Sequence, residues 1–565
     1  MKIKKWIAIY IGGLFLAAAI VVGYNVIVDP FGVFRDKEIK SDSYNMVNNP
    51  RITKIAYLDE HYKKYDSYII GGSKSSSISP ELLNEYYGDA SFYSMMMSDG
   101  DFNNYENTVK YLINHYEVKN IVLHMSLQEL GHYKDEATSF KQSLHGKVND
   151  DNLIVKQEQE DITGIDEFIE NNPNFEASVG QIQSVALDKN VESLKRIKEV
   201  AEAHNVNFTF ITGATYKSEL SKYNLDDLKT YWRKIADVTP FWDFTGYTAI
   251  SNDPRYFYDS MHYHNNVGEM MLAYIFNDEN KYVPENFGHY TTVENVDEHA
   301  NKVFTPSYYV DNGDERTVPI LMYHHISDNP SELNTLTVSP EKFEQDMLTI
   351  KNAGYTPVHL SELVDFVYKG TSLPEKPIVI TFDDGYTSNY KFAYPTLQQL
   401  NMKATIFMIG WSVGKSEHRI PGTKFYPHFS WIEGKEMVDS GLIELQNHTY
   451  DMHDGKDAER YAALPKVNES PKQFEQFFKE DILKFEQLAE EQLQHEIFAL
   501  AYPYGAFTTQ TEQMLKDLGY KVTLTTQKGV NVIKQGNPNE LHALKRINVG
   551  SDVPSASLLT LIEQK

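Results

Sequence analysis

Short apolar runs alternate with helical stretches along most of this chain, and that alternation limits its fold more than any other feature. Ser67-Tyr-Ile-Ile-Gly, Asn120-Ile-Val-Leu-His and Phe208-Thr-Phe-Ile-Thr read as strands, and Glu192–His204 reads as a helix between the last two. The pattern resumes from Val318 with Ile320-Leu-Met-Tyr, Pro377-Ile-Val-Ile-Thr-Phe, Ala404-Thr-Ile-Phe-Met and Ile443-Glu-Leu. A long, charged amphipathic helix is predicted from Pro471 to about Gln494. Such alternation predicts an α/β fold, with parallel sheets carrying helices on both faces. Residues 286–316 lack a period and are rich in Asn, Asp and Glu, which reads as a linker or a packed connecting arm. A chain of 565 residues exceeds one hydrophobic core, since cores stop growing at roughly 250–300 residues. The division predicted is therefore a segment 1–30, a domain 35–285, the linker 286–316 and a domain 317–565.

The N-terminus begins Met1-Lys-Ile-Lys-Lys and continues from Trp6 to Val28 without a charge. About 20 apolar residues span a bilayer as a helix. Lysines before the run and Asp29 and Asp36 after it put the N-terminus in the cytoplasm and the rest outside. The expectation is a single-pass anchor with extracellular domains; a cleaved signal peptide is the rival reading. With 53 Lys plus Arg against 79 Asp plus Glu, the formal net charge is −26, which argues against a nucleic-acid partner. There is no Cys, so disulfides, thiolate metal sites and a Cys nucleophile are excluded, and any metal must be held by His and carboxylates.

Two places carry chemistry. In the second half, the strand Pro377–Phe382 runs straight into Asp383-Asp384-Gly385, two adjacent carboxylates that are costly to bury unless they serve something. Downstream, Ile443-Glu-Leu-Gln-Asn-His448-Thr-Tyr-Asp-Met-His453 ends another strand with two His five residues apart, a step suited to a loop folding both imidazoles onto one ion rather than to a helix face. One Asp and two His leave coordination positions open for water and substrate.

This half, from about 318 to 565, resembles the polysaccharide deacetylases, carbohydrate esterases with a NodB-type domain. The matching segments are Leu321-Met-Tyr-His-His-Ile, Thr381-Phe-Asp-Asp-Gly-Tyr, His448 to His453 and Ala501-Tyr-Pro-Tyr-Gly. The five-residue His step and the ending Leu544-Lys-Arg-Ile-Asn-Val resemble the branch acting on poly-N-acetylglucosamine exopolysaccharide of biofilms. The resemblance implies a (β/α)-barrel-like fold and a divalent metal, zinc first and other divalent transition metals after it, held by Asp384, His448 and His453. It implies Asp383 as general base, and Tyr502, Pro503, Tyr504 and Gly505 as groove and oxyanion residues, with the Tyr502 backbone N–H among the donors. His542 is the candidate general acid, and His324 and His325 have structural or groove-lining roles.

In the first half, Tyr65-Asp-Ser-Tyr-Ile-Ile leads into Gly71-Gly72-Ser73-Lys74, a Ser on a glycine turn at a strand end. That placement favours a nucleophile, because the N–H groups after it can hold an oxyanion. Later, Asp259-Ser-Met-His262 supplies an Asp and a His able to orient each other towards a distant Ser. This half resembles the SGNH/GDSL hydrolases, closest to membrane-anchored members tied to envelope or exopolysaccharide acylation. The resemblance implies an α/β/α sandwich, Ser73 as nucleophile and Asp259 and His262 as its partners. Gly100 is the candidate oxyanion residue, and Ser126 or Gln128 stands where the family has an Asn.

The combined expectation is a membrane-anchored extracellular enzyme, accompanying a polysaccharide synthase, that N-deacetylates a polysaccharide with one domain and adds or removes O-acyl groups with the other. The alternatives are a peptidoglycan or other wall-glycan N-deacetylase with a non-catalytic polymer-binding first domain, and a non-catalytic assembly scaffold.

Overall fold

The computed structural model describes residues 50–97, 100–131, 184–306, 314–456, 459–467 and 469–563. These form two compact units, one running to residue 306 and the other from 314, with Glu279–Tyr282 belonging to the second. Among the described residues no helix is long and apolar enough to cross a membrane. The run Trp6–Val28, expected as an anchor, lies outside them.

The first unit is built on β1 (Ser67–Gly71), β2 (Phe92–Met96), β3 (Asn120–Met125), β4 (Asn207–Thr212), β5 (Phe241–Asp243) and β6 (His289–Thr291). Their order is β2-β1-β3-β4-β5-β6, parallel except for β6 against β5. β1, β2 and β3 are buried along their whole length, as expected of strands covered on both faces. The chain steps from β1 outward to β2 and then back to β3 on the other side. In a doubly wound sheet this reversal opens a crevice at the carboxyl ends of the strands. Ser73 follows β1 at that point. The region expected as linker or arm carries β6 and the helix Val296–Val303, whose Val296, Ala300 and Val303 join the unit's core.

The second unit contains β7 (Glu315–Val318), β8 (Ile320–Tyr323), β9 (His325–Ile326), β10 (Thr337–Val338), β11 (Thr356–Pro357), β12 (Pro377–Phe382), β13 (Ala404–Met408), β14 (Ile443–Asn447), β15 (Ala499–Ala501), β16 (Val522–Leu524), β17 (Asn531–Lys534) and β18 (Ile547–Asn548). The main sheet runs β16-β15-β14-β13-β12-β8-β18, parallel throughout. A parallel bridge between Leu524 and Leu544 ties the chain entering β18 back to β16, so the pairing runs round in a ring. Successive β12 residues point to opposite faces: Ile378, Ile380 and Phe382 join one apolar cluster and Val379 another. All carboxyl ends of a parallel sheet share one rim, and Asp383, Asp384 and His448 follow β12 and β14 onto it. The amphipathic helix spans Pro471–Leu493. It starts on a Ser470–Gln473 capping box with Pro471 in its first turn, and its Phe474, Phe478, Ile482 and Phe485 are buried.

Candidate functional site

The two carboxylates after β12 point different ways because the backbone turns between them. Asp384 has φ 76° and Gly385 φ 80°, so the chain enters the left-handed region immediately after Asp383. Asp383 reaches inward to Arg546, whose two terminal nitrogens donate to its two oxygens at 2.7 Å each. Arg546 is fully buried; its Nε donates to the Thr525 carbonyl at 2.8 Å and Nη1 to Thr381 Oγ1 at 3.3 Å. Burial pushes the Asp383 carboxyl up, but the charge and hydrogen bonds of Arg546 together with His448 and His324 outweigh it and hold the group below its ordinary value.

Asp384 turns towards the histidines. Its Oδ1 stands 3.5 Å from His448 Nε2 and 3.1 Å from His453 Nε2. That buried oxygen has no aligned hydrogen-bond donor. The three atoms therefore converge on a common centre rather than satisfying one another. Nitrogen and oxygen ligands about 2.0–2.1 Å from a tetrahedral ion stand about 3.3 Å apart, and these separations suit that geometry. His448 Nδ1 donates to the Ala501 carbonyl at 2.7 Å, which fixes the tautomer and leaves the Nε2 lone pair facing Asp384. Burial pushes the His448 imidazole down to about 4, keeping it neutral. Burial alone would raise Asp384, yet His453, with His324 and His448, holds it well below the usual carboxylate range. Among the described residues, Asp384, His448 and His453 are the one group of His and acidic side chains arranged to hold a metal.

The five-residue step between the histidines has a packing cause. Met452 is buried beside Phe474, Phe478, Ile482 and Tyr502, so the loop spends one residue on the core before presenting His453. The remaining sequence expectations divide. Tyr504 has φ 57°, is 47% exposed, and its ring packs at a tilt beside His453 (ring centroids 4.8 Å) and Tyr461 (5.6 Å), so it does flank the site. Pro503 is buried in the same turn. Tyr502 departs from expectation: its N–H is spent on the Leu524 carbonyl at 2.9 Å, and its buried hydroxyl donates to Glu512 at 2.7 Å. It is a core residue rather than an oxyanion donor. His542 bonds through Nδ1 to Glu512 at 2.7 Å, in the same buried cluster. His325 stacks on Tyr426 at 4.0 Å and bonds Ser388 at 2.9 Å. Sequence reasoning gave no role to Arg546, to His428, which is buried with both ring nitrogens unpaired, or to Tyr386, whose ring lies tilted 5.0 Å from that of His428. Arg546 sits inside the quoted Leu544–Val549 ending, but nothing local says that it reaches back to Asp383.

In the first unit the three predicted side chains meet. Ser73 Oγ lies 2.8 Å from His262 Nε2, and His262 Nδ1 lies 2.9 Å and 3.1 Å from the two Asp259 oxygens. Asp259 also accepts the N–H groups of Met261 and His262 at 2.7 Å, which locks the Asp-x-x-His turn. Asp259 accepts a hydrogen bond from the His262 Nδ1–H, so Nε2 carries the lone pair and the Ser73 hydroxyl donates to it, the arrangement that activates a serine. Burial would raise Asp259, but the His262 bonds hold it down at about 2. Ser73 opens a short 3-10 turn after Gly72, where any side chain would collide with Glu129 Oε1, 2.4 Å from a built Cβ. Gly100 does not fit the oxyanion role expected of it, because its N–H is committed to the Met97 carbonyl at 3.2 Å. Ser126 is engaged by Glu129, whereas Gln128 accepts from the buried Lys74 ammonium at 3.0 Å.

Known proteins resemble the second half. The polysaccharide deacetylase family model matches residues 370–523. YxkH of Bacillus subtilis (strain 168), which carries the polysaccharide deacetylase name, is 30% identical over 246 residues, covering 44% of this chain and 76% of the relative. The poly-beta-1,6-N-acetyl-D-glucosamine N-deacetylases of Escherichia coli (strain K12) and Staphylococcus aureus (strain MRSA252) are 23% and 30% identical, and the chain spans 36% and 61% of their lengths. A solved structure of IcaB from Ammonifex degensii is 27% identical, covering 44% of this chain and 95% of that one, with a TM-score of 0.36. The chain belongs to the polysaccharide deacetylase family through its second half.

Proposed function

We propose that the second unit removes N-acetyl groups from N-acetylhexosamine units of a polysaccharide of the poly-N-acetylglucosamine type. The observation that carries this is the convergence of Asp384, His448 and His453 beside an Arg-anchored Asp383 in a polysaccharide deacetylase domain. A divalent ion, zinc first, held by those three residues would supply Lewis-acid polarisation of the acetamide carbonyl and lower the pKa of a water. Asp383, kept ionised by Arg546, takes the proton of the attacking water. His542, its Nδ1 held by Glu512, protonates the leaving amine. Tyr504 offers an exposed ring to the sugar beside His453.

The first unit acts as a serine-based O-acyl esterase or O-acetyltransferase on the same polymer. Support comes from the assembled Ser73–His262–Asp259 hydrogen bonds and from a strand order whose crevice falls at Ser73. The run Trp6–Val28 supports an extracellular chain on a single-pass anchor, placed to meet polymer leaving a synthase. The test is acetate release from N-acetylglucosamine oligomers by the full chain, with chelator and then with zinc restored. Release that stops with chelator, returns with zinc, and is lost in Asp384→Ala is expected. Asp383→Asn should keep zinc and lose turnover by at least 100-fold. Stoichiometric zinc retained by Asp384→Ala would sink the ligand assignment. Ser73→Ala should abolish hydrolysis of a chromogenic acetyl ester and spare the acetamide reaction.

A further inference from the structure

The buried stripe of the helix Pro471–Leu493 is apolar except at one place. Asp481 lies between Phe478 and Ile482, buried like them, where packing alone would favour another aliphatic side chain. A carboxylate taken from water costs free energy unless hydrogen bonds replace its hydration. Here two do. Asp481 Oδ1 accepts the Tyr450 N–H and Oδ2 accepts the Asp451 N–H, each at 2.7 Å. Both amides belong to the loop that joins His448 to His453.

That loop does not hold its shape unaided. Thr449 has φ 68°, a left-handed conformation that a β-branched residue keeps only when its surroundings over-determine it. Its N–H donates to Asn447 Oδ1 at 2.7 Å, and its Oγ1 accepts from Met452 N–H at 3.2 Å. On the carbonyl side, the Gly410 and Trp411 N–H groups bind the Thr449 and Tyr450 carbonyls at 3.0 and 2.9 Å. On the amide side, the two successive N–H groups after Thr449 form an anion-binding concavity, and Asp481 fills it. With Met452 buried as well, the positions of His448 and His453 are set from the strand, the core and this carboxylate together.

We propose that Asp481 is the positioning residue of the metal-ligand loop: by clamping the Tyr450 and Asp451 amides from the helix, it sets the separation of His448 and His453 and thereby the affinity for a divalent ion. This rests on the ligand assignment made above. Both carboxylate oxygens are used, so Asp481→Asn keeps the volume but leaves one acceptor and turns an NH2 against the second amide. Partners that orient metal ligands typically contribute 10–100-fold to metal affinity.

The experiment uses the full chain freed of metal, titrated with zinc and separately with cobalt. Asp481→Asn is expected to weaken the zinc Kd 10–100-fold and to change the cobalt absorption spectrum. Its N-deacetylation should return towards the unaltered rate at excess zinc, and Asp481→Glu should restore part of the affinity. An unchanged zinc Kd and cobalt spectrum in Asp481→Asn would overturn the proposal. Asp384→Ala, titrated alongside, should bind no zinc; full binding there would remove the ligand assignment itself rather than the clamp. Should Asp481→Asn not fold, amide hydrogen exchange in the unaltered chain decides. Tyr450 and Asp451 amides protected like core strands support the clamp, and exchange at the rate of an open loop overturns it.

Discussion

Asp383 shows at residue scale how a catalytic assignment depends on a partner far away in sequence. Its carboxylate is buried, and what keeps it ionised is a guanidinium 163 residues later in the chain. Breaking a buried pair by removing one partner is strongly destabilising, because the other charge stays unpaired in a poorly solvating interior. Arg546→Met is therefore expected to cost about 3–5 kcal/mol, read as a lowered urea midpoint for the second unit. Adding Asp383→Leu should return a large part of that loss, since no buried charge then remains, and a double-mutant cycle measures the coupling. Equal destabilisation in the single and double variants would show that Arg546 acts through packing alone. Asp383, Asp384, His448 and His453 were legible in the sequence because strand ends and a short loop present them locally. Tyr502 was misplaced because nothing near it shows that its hydroxyl faces Glu512 or that its N–H completes a sheet ladder.

At the scale of elements, the serine site depends on how closely a helix approaches a turn. The helix Asn265–Phe276 begins just after His262, and its Gly268 packs on the turn Ser73–Ser77. A Cβ built on Gly268 lies 1.8 Å from the Ser77 carbonyl oxygen, so any side chain must push helix and turn apart. Overpacking of this kind typically costs about 1–3 kcal/mol. Because Ser73 opens the turn and His262 lies just ahead of the helix, the 2.8 Å bond between those residues would open as the two elements separate. Gly268→Ala should lower chromogenic ester hydrolysis by about tenfold or more while acetamide hydrolysis in the same preparation is unchanged. Undiminished ester hydrolysis would show that the contact relaxes without moving the site. In the second unit the five-residue His step is likewise tied to an element: Met452, between the two histidines, belongs to the core around the helix Pro471–Leu493.

For the whole molecule, an Asp–His–His cluster follows strand ends in one unit and a hydrogen-bonded Ser–His–Asp trio follows a strand end in the other, so the two reactions proposed for them are separable. The separation is testable in a single sample. A chelator should abolish acetamide hydrolysis and leave ester hydrolysis intact, while a serine-directed phosphonate should do the reverse. Loss of both activities with either reagent would mean that one site performs both reactions. The sequence by itself determined the α/β class, the strand ends that carry Asp383, Asp384, His448 and Ser73, and the residue types able to hold a metal in a chain without Cys. Those follow from local periodicity and chemistry, which a sequence states directly. Tertiary structure alone decided that Arg546 pairs with Asp383, that Tyr502 and the Gly100 amide are already committed elsewhere, and that Asp481 grips the ligand loop. Those depend on which distant groups exhaust each other's hydrogen bonds and charge once buried together, and no local pattern records that.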